Sequence, residues 1–181
     1  MYSGGELPLR VLKSIAIASI ASLSRLVIDL SSDMFIATET HAQQHLVFLS
    51  LVGSNLTHLA ILARGLRYSV VVQGLEHCTR LQQLAYHVFA EGAAFPPAIP
   101  LAALQSTINS LPHTALASLI LRIDTVATPQ YDSLFSSANL ANLKKVKFEA
   151  FAGKIVGKAL VRRLRERGIE VVCADFGRRK R

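Results

Sequence analysis

One spacing of apolar residues, L-x-x-L-x-L or a close variant, returns five times along the chain. The copies read LSRLVID, LTHLAIL, LQQLAYH, LASLILR and LKKVKFE, and their first residues are Leu23, Leu56, Leu81, Leu116 and Leu143. The second half of each copy alternates apolar and polar positions, which predicts a short strand, and the first leucine is expected to turn inward from the preceding loop. The segment GIEVVCA (168–174) predicts a sixth strand.

Segments with apolar residues at intervals of three and four lie between these strands and predict helices. They cover residues 42–52, 66–78, 99–111, 130–140 and 154–168, and an opening helix is predicted over about 9–20. Pro100 and Pro129 stand at or just before a first helical turn, where proline is tolerated. Successive strands joined by helices are expected to be parallel.

Two α/β architectures fit this order of elements. In a leucine-rich-repeat-like arc of about six parallel strands, the helices lie on one face, whereas a doubly wound parallel sheet is covered on both faces. The column between the two strand leucines reads Val27, Ala60, Ala85, Ile120 and Lys147. Because this narrow apolar stripe has polar borders, it favours the arc, with an open face that meets a partner. The doubly wound sheet is the alternative.

The outward strand positions are therefore the predicted protein-binding residues. They are Arg25, Val27, Asp29, His58, Ala60, Gln83, Ala85, His87, Ser118, Ile120, Arg122, Lys145, Lys147 and Glu149. We expect a single leucine-rich-repeat-like domain over residues 1–176, with the first helix covering one end of the apolar stack, and a basic tail over 177–181.

Composition narrows the class of protein. Hydrophobic residues make up 51% of the 181 positions and charged residues 18%, as in a core-rich globular chain. No apolar run approaches the roughly 18 residues that span a bilayer. The segment SIAIASIAS (14–22) is interrupted by serines and follows Glu6, so we expect no signal peptide. Two cysteines without metal-ligand spacing fit a reducing compartment, and we expect a cytoplasmic or nuclear protein.

The net charge of +8 is concentrated at the C-terminal end. Residues 144–181 hold 13 Lys and Arg against 4 Asp and Glu, a net of +9, which leaves −1 for the first 143 residues. Lys154, Lys158, Arg162 and Arg165 fall on one face of the last predicted helix, which we expect to be solvated. The tail residues that could contact an import receptor or phosphates are Arg178, Arg179, Lys180 and Arg181. Nucleic-acid binding through this end is an alternative function rather than the expected one.

Motifs that carry chemistry are scarce. No phosphate-binding glycine loop follows a strand, His41 and His45 lack a third metal ligand, and Cys78 beside His77 is expected to be structural. Acids at strand ends, Asp29, Asp124 and Glu149, are expected to be solvated. We therefore predict no catalytic residue, metal or cofactor. A small α/β enzyme of the doubly wound type is the alternative from another class.

The stretch LEHCTRLQQLAY (75–86) resembles the C-x-x-L-x-x-L-x-L junction of cysteine-containing leucine-rich repeats, in which the cysteine packs under the turn into the strand. With the other copies, residues 20–174 resemble the repeat region of fungal F-box and leucine-rich-repeat proteins. LPLRVLKSI (7–15) matches the L-P-x-x-V-L-x-x-I opening of an F-box, although the rest of that module is not evident. The resemblance implies a non-catalytic interaction module that recognises substrates of a ubiquitin ligase. It implies binding of the adaptor Skp1 only if an F-box is present, and we expect a monomer without membrane contact.

Overall fold

Six parallel strands form one sheet, and their order in the sheet is their order in the chain. The computed structural model describes residues 23–30, 39–64, 74–89, 98–112, 116–123, 131–150 and 157–175. The strands are β1 (Arg25–Leu30), β2 (His58–Arg64), β3 (Gln83–Phe89), β4 (Ser118–Ile123), β5 (Lys145–Ala150) and β6 (Glu170–Asp175). The predicted α/β class and the predicted number of parallel strands are confirmed.

Four α-helices alternate with these strands in the described residues. They are α1 (Glu39–Val52), α2 (Ala98–Ser110), α3 (Tyr131–Phe135) and α4 (Lys158–Glu166). Short 3₁₀ turns precede β2, β3 and β5, at Gly53–Asn55, Leu75–His77 and Ala138–Leu140. Within the described ranges, no helix is both long enough and apolar enough to cross a membrane.

Two predicted helices differ from the observed structure. The prediction over 66–78 is wrong at its end, because Gly74 has a left-handed backbone with φ of 96° and a 3₁₀ turn follows it. The helix predicted over 130–140 is interrupted in the structure, since Ser137, between α3 and the next 3₁₀ turn, has an extended ψ of 135°. The predicted opening helix at 9–20, the F-box-like segment 7–15 and the tail 177–181 lie outside the described residues.

The strands pair in register, so that equivalent positions of the five copies form straight columns. One inward column runs from Leu26 through Leu59, Leu84, Leu119 and Val146 to Val171. These residues share one apolar cluster with buried residues of the helices, such as Leu49 and Leu164. Because side chains alternate along a strand, the other set of positions faces away from this cluster.

The first leucine of each copy is packed as the sequence predicts. We call Leu23, Leu56, Leu81, Leu116 and Leu143 the entry leucines. Leu56 has no exposed surface and Leu143 is 6% exposed, whereas Leu23, before the edge strand β1, is only partly buried. Each such side chain removes apolar surface from water, which stabilises the fold by about 2 kcal/mol for a fully buried leucine.

The residue after each entry leucine makes the contact between neighbouring copies. In the first four copies its carbonyl oxygen accepts hydrogen bonds from two consecutive N–H groups of the next copy, at 2.9 to 3.1 Å, and in the fifth copy the carbonyl of Lys144 accepts one from Glu170, at 2.8 Å. The accepting carbonyls are those of Ser24, Thr57, Gln82 and Ala117, and the donors are Thr57 and His58, Gln82 and Gln83, Ala117 and Ser118, and Lys144 and Lys145. The strands therefore start level with one another.

Asn139 joins the last turn of α2 to the 3₁₀ turn before β5. Its buried side-chain amide donates to the carbonyls of Ile108, at 2.8 Å, and Leu111, at 3.1 Å. Carbonyls at a helix C-terminus lack their usual partners within the helix, so this amide supplements the backbone bond there, from the Leu111 N–H to the Ile108 carbonyl at 3.2 Å. The sequence pattern gave no indication of this role.

Glycines allow two close approaches between the loops. A Cβ at Gly53 would lie 2.9 Å from the backbone carbonyl carbon of His77, so the two 3₁₀ turns pack closer than a side chain permits. At Gly74 the left-handed backbone coincides with a close contact, because a Cβ there would lie 3.1 Å from the Cβ of Leu49.

Gly74→Ala should destabilise the protein by about 2–3 kcal/mol, since a left-handed conformation costs a side chain about 1–2 kcal/mol and the contact with Leu49 adds to it. Gly168→Ala is a matched control, because Gly168 has φ of 78° but nothing within 4 Å of its Cβ position. We expect Gly168→Ala to cost only the left-handed penalty of about 1–2 kcal/mol. Urea unfolding of both variants measures the difference. Equal losses would show that the contact with Leu49 carries no cost.

Candidate protein-binding face

The sheet face that points away from the helix-side core contains every predicted binding residue of β1 to β5. We call it the outer face. Its three columns are Arg25, His58, Gln83, Ser118, Lys145 and Glu170; Val27, Ala60, Ala85, Ile120, Lys147 and Val172; and Asp29, Leu62, His87, Arg122, Glu149 and Ala174. The backbone of Asp29 belongs to β1, and its side chain lies outside the described residues.

The middle column is apolar except at Lys147, but its members differ in exposure. Val27, on the edge strand, is 64% exposed, while Ala60 and Ile120 are half-buried. Ala85, which pairs with both of them on β3, is only 8% exposed, less than an open face leads one to expect. Val27 is therefore the most accessible described member of the stripe, and Ala60 lies beside it on β2.

The sixth strand extends the outer face beyond the predicted residues. Val172 pairs with Lys147 and is half-buried, and Glu170 pairs with Lys145. The predicted binding residues ended at β5 although a sixth strand was predicted, because β6 lacks an entry leucine and has Gly168 at that position. The alternation in IEVVCA was the available signal.

A charged cluster occupies the outer face of β4 and β5. The guanidinium of Arg122 donates two hydrogen bonds to Oε2 of Glu149, at 2.8 and 3.1 Å. Lys147 Nζ lies 2.7 Å from the other carboxylate oxygen, Oε1. The side chains of Arg122 and Glu149 are only 15% and 10% exposed. The prediction of a solvated acid at Glu149 is therefore wrong, because both of its oxygens are used in a mostly buried ion pair.

The environment of Glu149 favours its charged form. Burial by itself raises the pKa of the carboxyl, but hydrogen bonds from Lys147 and Arg122 and the charges of both lower it by more. The pKa of Glu149 therefore lies below its ordinary value. Since both oxygens have partners, the carboxylate is poorly available as a base or metal ligand.

His87 lies beside this cluster in the same row, paired with Arg122. In the described part of the chain, its buried Nδ1 has no hydrogen-bond partner. Burial lowers the pKa of His87, the charge of Arg122 lowers it further, and Glu149 acts in the opposite direction. The imidazole is therefore neutral at pH 7.

The first column of the outer face is polar and more open. Lys145 forms an ion pair with Glu170 at 2.8 Å, with side chains 43% and 59% exposed. Arg25 is exposed, and Gln83 and Ser118 are half-buried. Among outer-face side chains that the structure describes, the four cations Arg25, Arg122, Lys145 and Lys147 stand against the two carboxylates Glu149 and Glu170. The difference of +2 makes this face attractive to acidic groups.

The two cysteines differ in environment. Cys78 is fully buried at the turn into β3, as the resemblance to cysteine-containing repeats implies, and burial followed by the charge of Glu76 raises the pKa of its thiol to about 11. A thiol with so high a pKa is a poor nucleophile. Cys173, on the edge strand β6, is exposed. No group of three or more potential metal ligands occurs within the described ranges; the side chains of His41 and His45 lie outside them.

Comparison with known proteins identifies no relative: no protein-family model, curated protein or solved structure matches this chain. The inference of function therefore depends on the geometry of the chain itself.

Glu149→Gln should destabilise the protein by about 2–3 kcal/mol at pH 7, because it leaves Arg122 poorly compensated in a mostly buried site. A carboxyl whose folded-state pKa is lowered stabilises the fold above its unfolded-state pKa of about 4.3, and this contribution is lost as the pH falls through the lowered value. The deficit of the variant relative to wild type should therefore shrink on acidification below about pH 4.

The matched control is Glu170→Gln, which removes the acid of an exposed pair on the same face. We expect it to cost less than about 0.5 kcal/mol. Urea unfolding at neutral and acidic pH measures both variants. A loss for Glu149→Gln no larger than that for Glu170→Gln would refute the structural role of the buried cluster.

Proposed function

We propose that this chain is a non-catalytic protein-interaction module, a leucine-rich-repeat-like arc whose outer face binds an acidic segment of a partner protein. The sequential strand order supports the arc, because a doubly wound sheet has a point where the order reverses. Among the described residues, the apolar cluster that joins alternate strand residues to buried helix residues supports it as well.

One observation carries the binding proposal: the outer face combines an accessible apolar stripe with unbalanced positive charge. Val27 is 64% exposed and continues into the half-buried Ala60. Arg25, beside Val27, is exposed as well. An apolar centre with a charged rim is typical of protein interfaces. The excess of two cations among the described side chains of the outer face favours a partner segment that carries carboxylates around an apolar side chain.

The polar groups near the carboxyl end of β5 support binding over catalysis. The carboxylate of Glu149 is bonded to Arg122 and Lys147, and its pKa is lowered, so it is not poised to accept a proton near neutral pH. These contacts hold the outer face in one conformation, and a rigid surface loses less entropy on binding.

A role in ubiquitin ligation is the more specific proposal, and it rests on the resemblance to F-box and leucine-rich-repeat proteins. In such a role the acidic partner would be the protein marked for degradation, and Skp1 would bind the LPLRVLKSI segment. Binding of the purified chain to purified Skp1 tests this step by itself. Failure to bind would remove the ligase role and leave the interaction module standing.

Val27→Glu combined with Ala60→Glu should abolish partner binding, because it places two carboxylates where the acidic segment docks. Val47→Glu combined with Leu51→Glu is the matched control, since Val47 and Leu51 are 40% and 39% exposed on α1, away from the outer face. Crosslinking of the tagged full chain in its native cell, followed by mass spectrometry, would identify the partner and the residues it touches.

The expected result is a crosslinked acidic segment on β1 and β2 that disappears in the first variant and persists in the control. Circular dichroism should show that both variants remain folded. If crosslinks map to the helix side instead, or if both variants lose the partner equally, the outer face is not the binding surface.

A further inference from the structure

The last helix carries far more positive charge than its packing requires. Five cations occur between residues 158 and 167, and all are exposed: Lys158, Arg162, Arg163, Arg165 and Arg167. Glu166 is the one acid in this interval. The opposite side of α4 contributes Leu160 and Leu164 to the core. The charges therefore lie on the helix side of the protein, away from the outer face.

Three of these cations form one ridge. At about 100° per residue, Lys158, Arg162 and Arg165 fall within an arc of about 60° that is centred opposite Leu160 and Leu164. With a rise of 1.5 Å per residue, the ridge is about 10 Å long. We call these three residues the α4 ridge.

Helix stability accounts for only part of this charge. Cations near a helix C-terminus interact favourably with the helix dipole, which suits Arg163 and Arg165 in the last turn. Lys158 occupies the first turn, where the dipole favours an acid, and that turn contains no acid. Gly157, which precedes it, provides no side-chain cap. The N-terminal half of the ridge is therefore arranged to attract an anion.

The flanking cations have structural contacts, and the ridge is more available. The Arg167 guanidinium donates to the carbonyl of Phe135, which ties the end of α4 to α3. Arg162 pairs with Glu166 at 2.7 Å, but the two side chains are 82% and 56% exposed. Exposed pairs of this kind contribute little, so Arg162 can exchange its carboxylate partner for a phosphate at small cost.

The chemistry of the ridge selects among possible anionic partners. The large exposed apolar side chains of the described residues are Val27, Val47 and Leu51, none of them on α4. Insertion into a membrane surface and docking of a protein both depend on apolar anchors, and no large exposed apolar side chain occurs among the described residues of α4. Phosphate groups require only Arg and Lys, and Arg binds them with two hydrogen bonds.

We propose that the α4 ridge binds the phosphate backbone of a nucleic acid without reading its sequence. Three cations along about 10 Å of helix fit consecutive phosphates of one strand. The ridge has no aromatic side chain on which a base could stack, so affinity comes from charge and depends steeply on salt. The proposal is independent of partner binding on the outer face, and it assigns the contact to α4 rather than to the basic tail.

Fluorescence anisotropy of the full chain with a labelled single strand and its duplex, between about 50 and about 200 mM salt, tests this proposal. Three phosphate contacts should give a slope of log affinity against log salt of about −2 to −3. Arg162→Gln combined with Arg165→Gln should reduce the magnitude of the slope by about 2. Lys158→Gln combined with Arg165→Gln should do the same while leaving the Arg162–Glu166 pair intact.

The matched control is Arg80→Gln combined with Lys144→Gln, which removes the same charge from exposed positions outside α4. We expect it to leave the slope unchanged, and we expect the effect of the α4 variants to persist in a chain that lacks residues 177–181. Equal losses in control and α4 variants would overturn the proposal. So would complete loss of binding on removing the tail, or equally tight binding of phosphatidylserine vesicles at the same salt concentration.

Discussion

The carbonyl group after each entry leucine is the contact on which the rest of the structure depends. It accepts two N–H groups from the next copy, at Ser24, Thr57, Gln82 and Ala117, and so aligns the starts of neighbouring strands. Side chains alternate along a strand, and a slip of one residue would exchange the buried and outer positions. The entry leucines support this alignment, because Leu56, Leu81, Leu116 and Leu143 are buried in the core where the chain enters each strand.

The charged cluster is a direct consequence of this alignment. His87, Arg122 and Glu149 each stand six residues after an entry leucine, and registered pairing therefore places them in one row. Burying Arg122 or Glu149 alone would be costly, whereas burying them as a hydrogen-bonded pair offsets much of the desolvation. The low pKa of Glu149 and the neutral state of His87 both follow from this arrangement.

Sequence reasoning succeeded where the feature repeats and failed where it does not. The five strands with an entry leucine follow from a spacing that occurs five times, whereas the buried Cys78, present in one copy only, was expected from the resemblance to cysteine-containing repeats. The predicted solvation of Glu149 was wrong although its strand position was known. Its partner Arg122 lies on the neighbouring strand and is identified only when the copies are aligned side by side. Gly74 and Asn139 depend on contacts between single loops. No periodic signal marks such contacts, so they could not be predicted.

The fold constrains its two surfaces unequally, and this difference bears on function. On the outer face, Arg122 and Glu149 satisfy each other, so their charges are explained by stability within the sheet. On α4, packing fixes Leu160 and Leu164 but leaves the outward positions open to any soluble residue. A cation in the first turn opposes the helix dipole, so Lys158 is a cost that folding does not explain. When an anion binds there, the positive end of the helix dipole and the lysine both attract it, so the repulsion between them is offset.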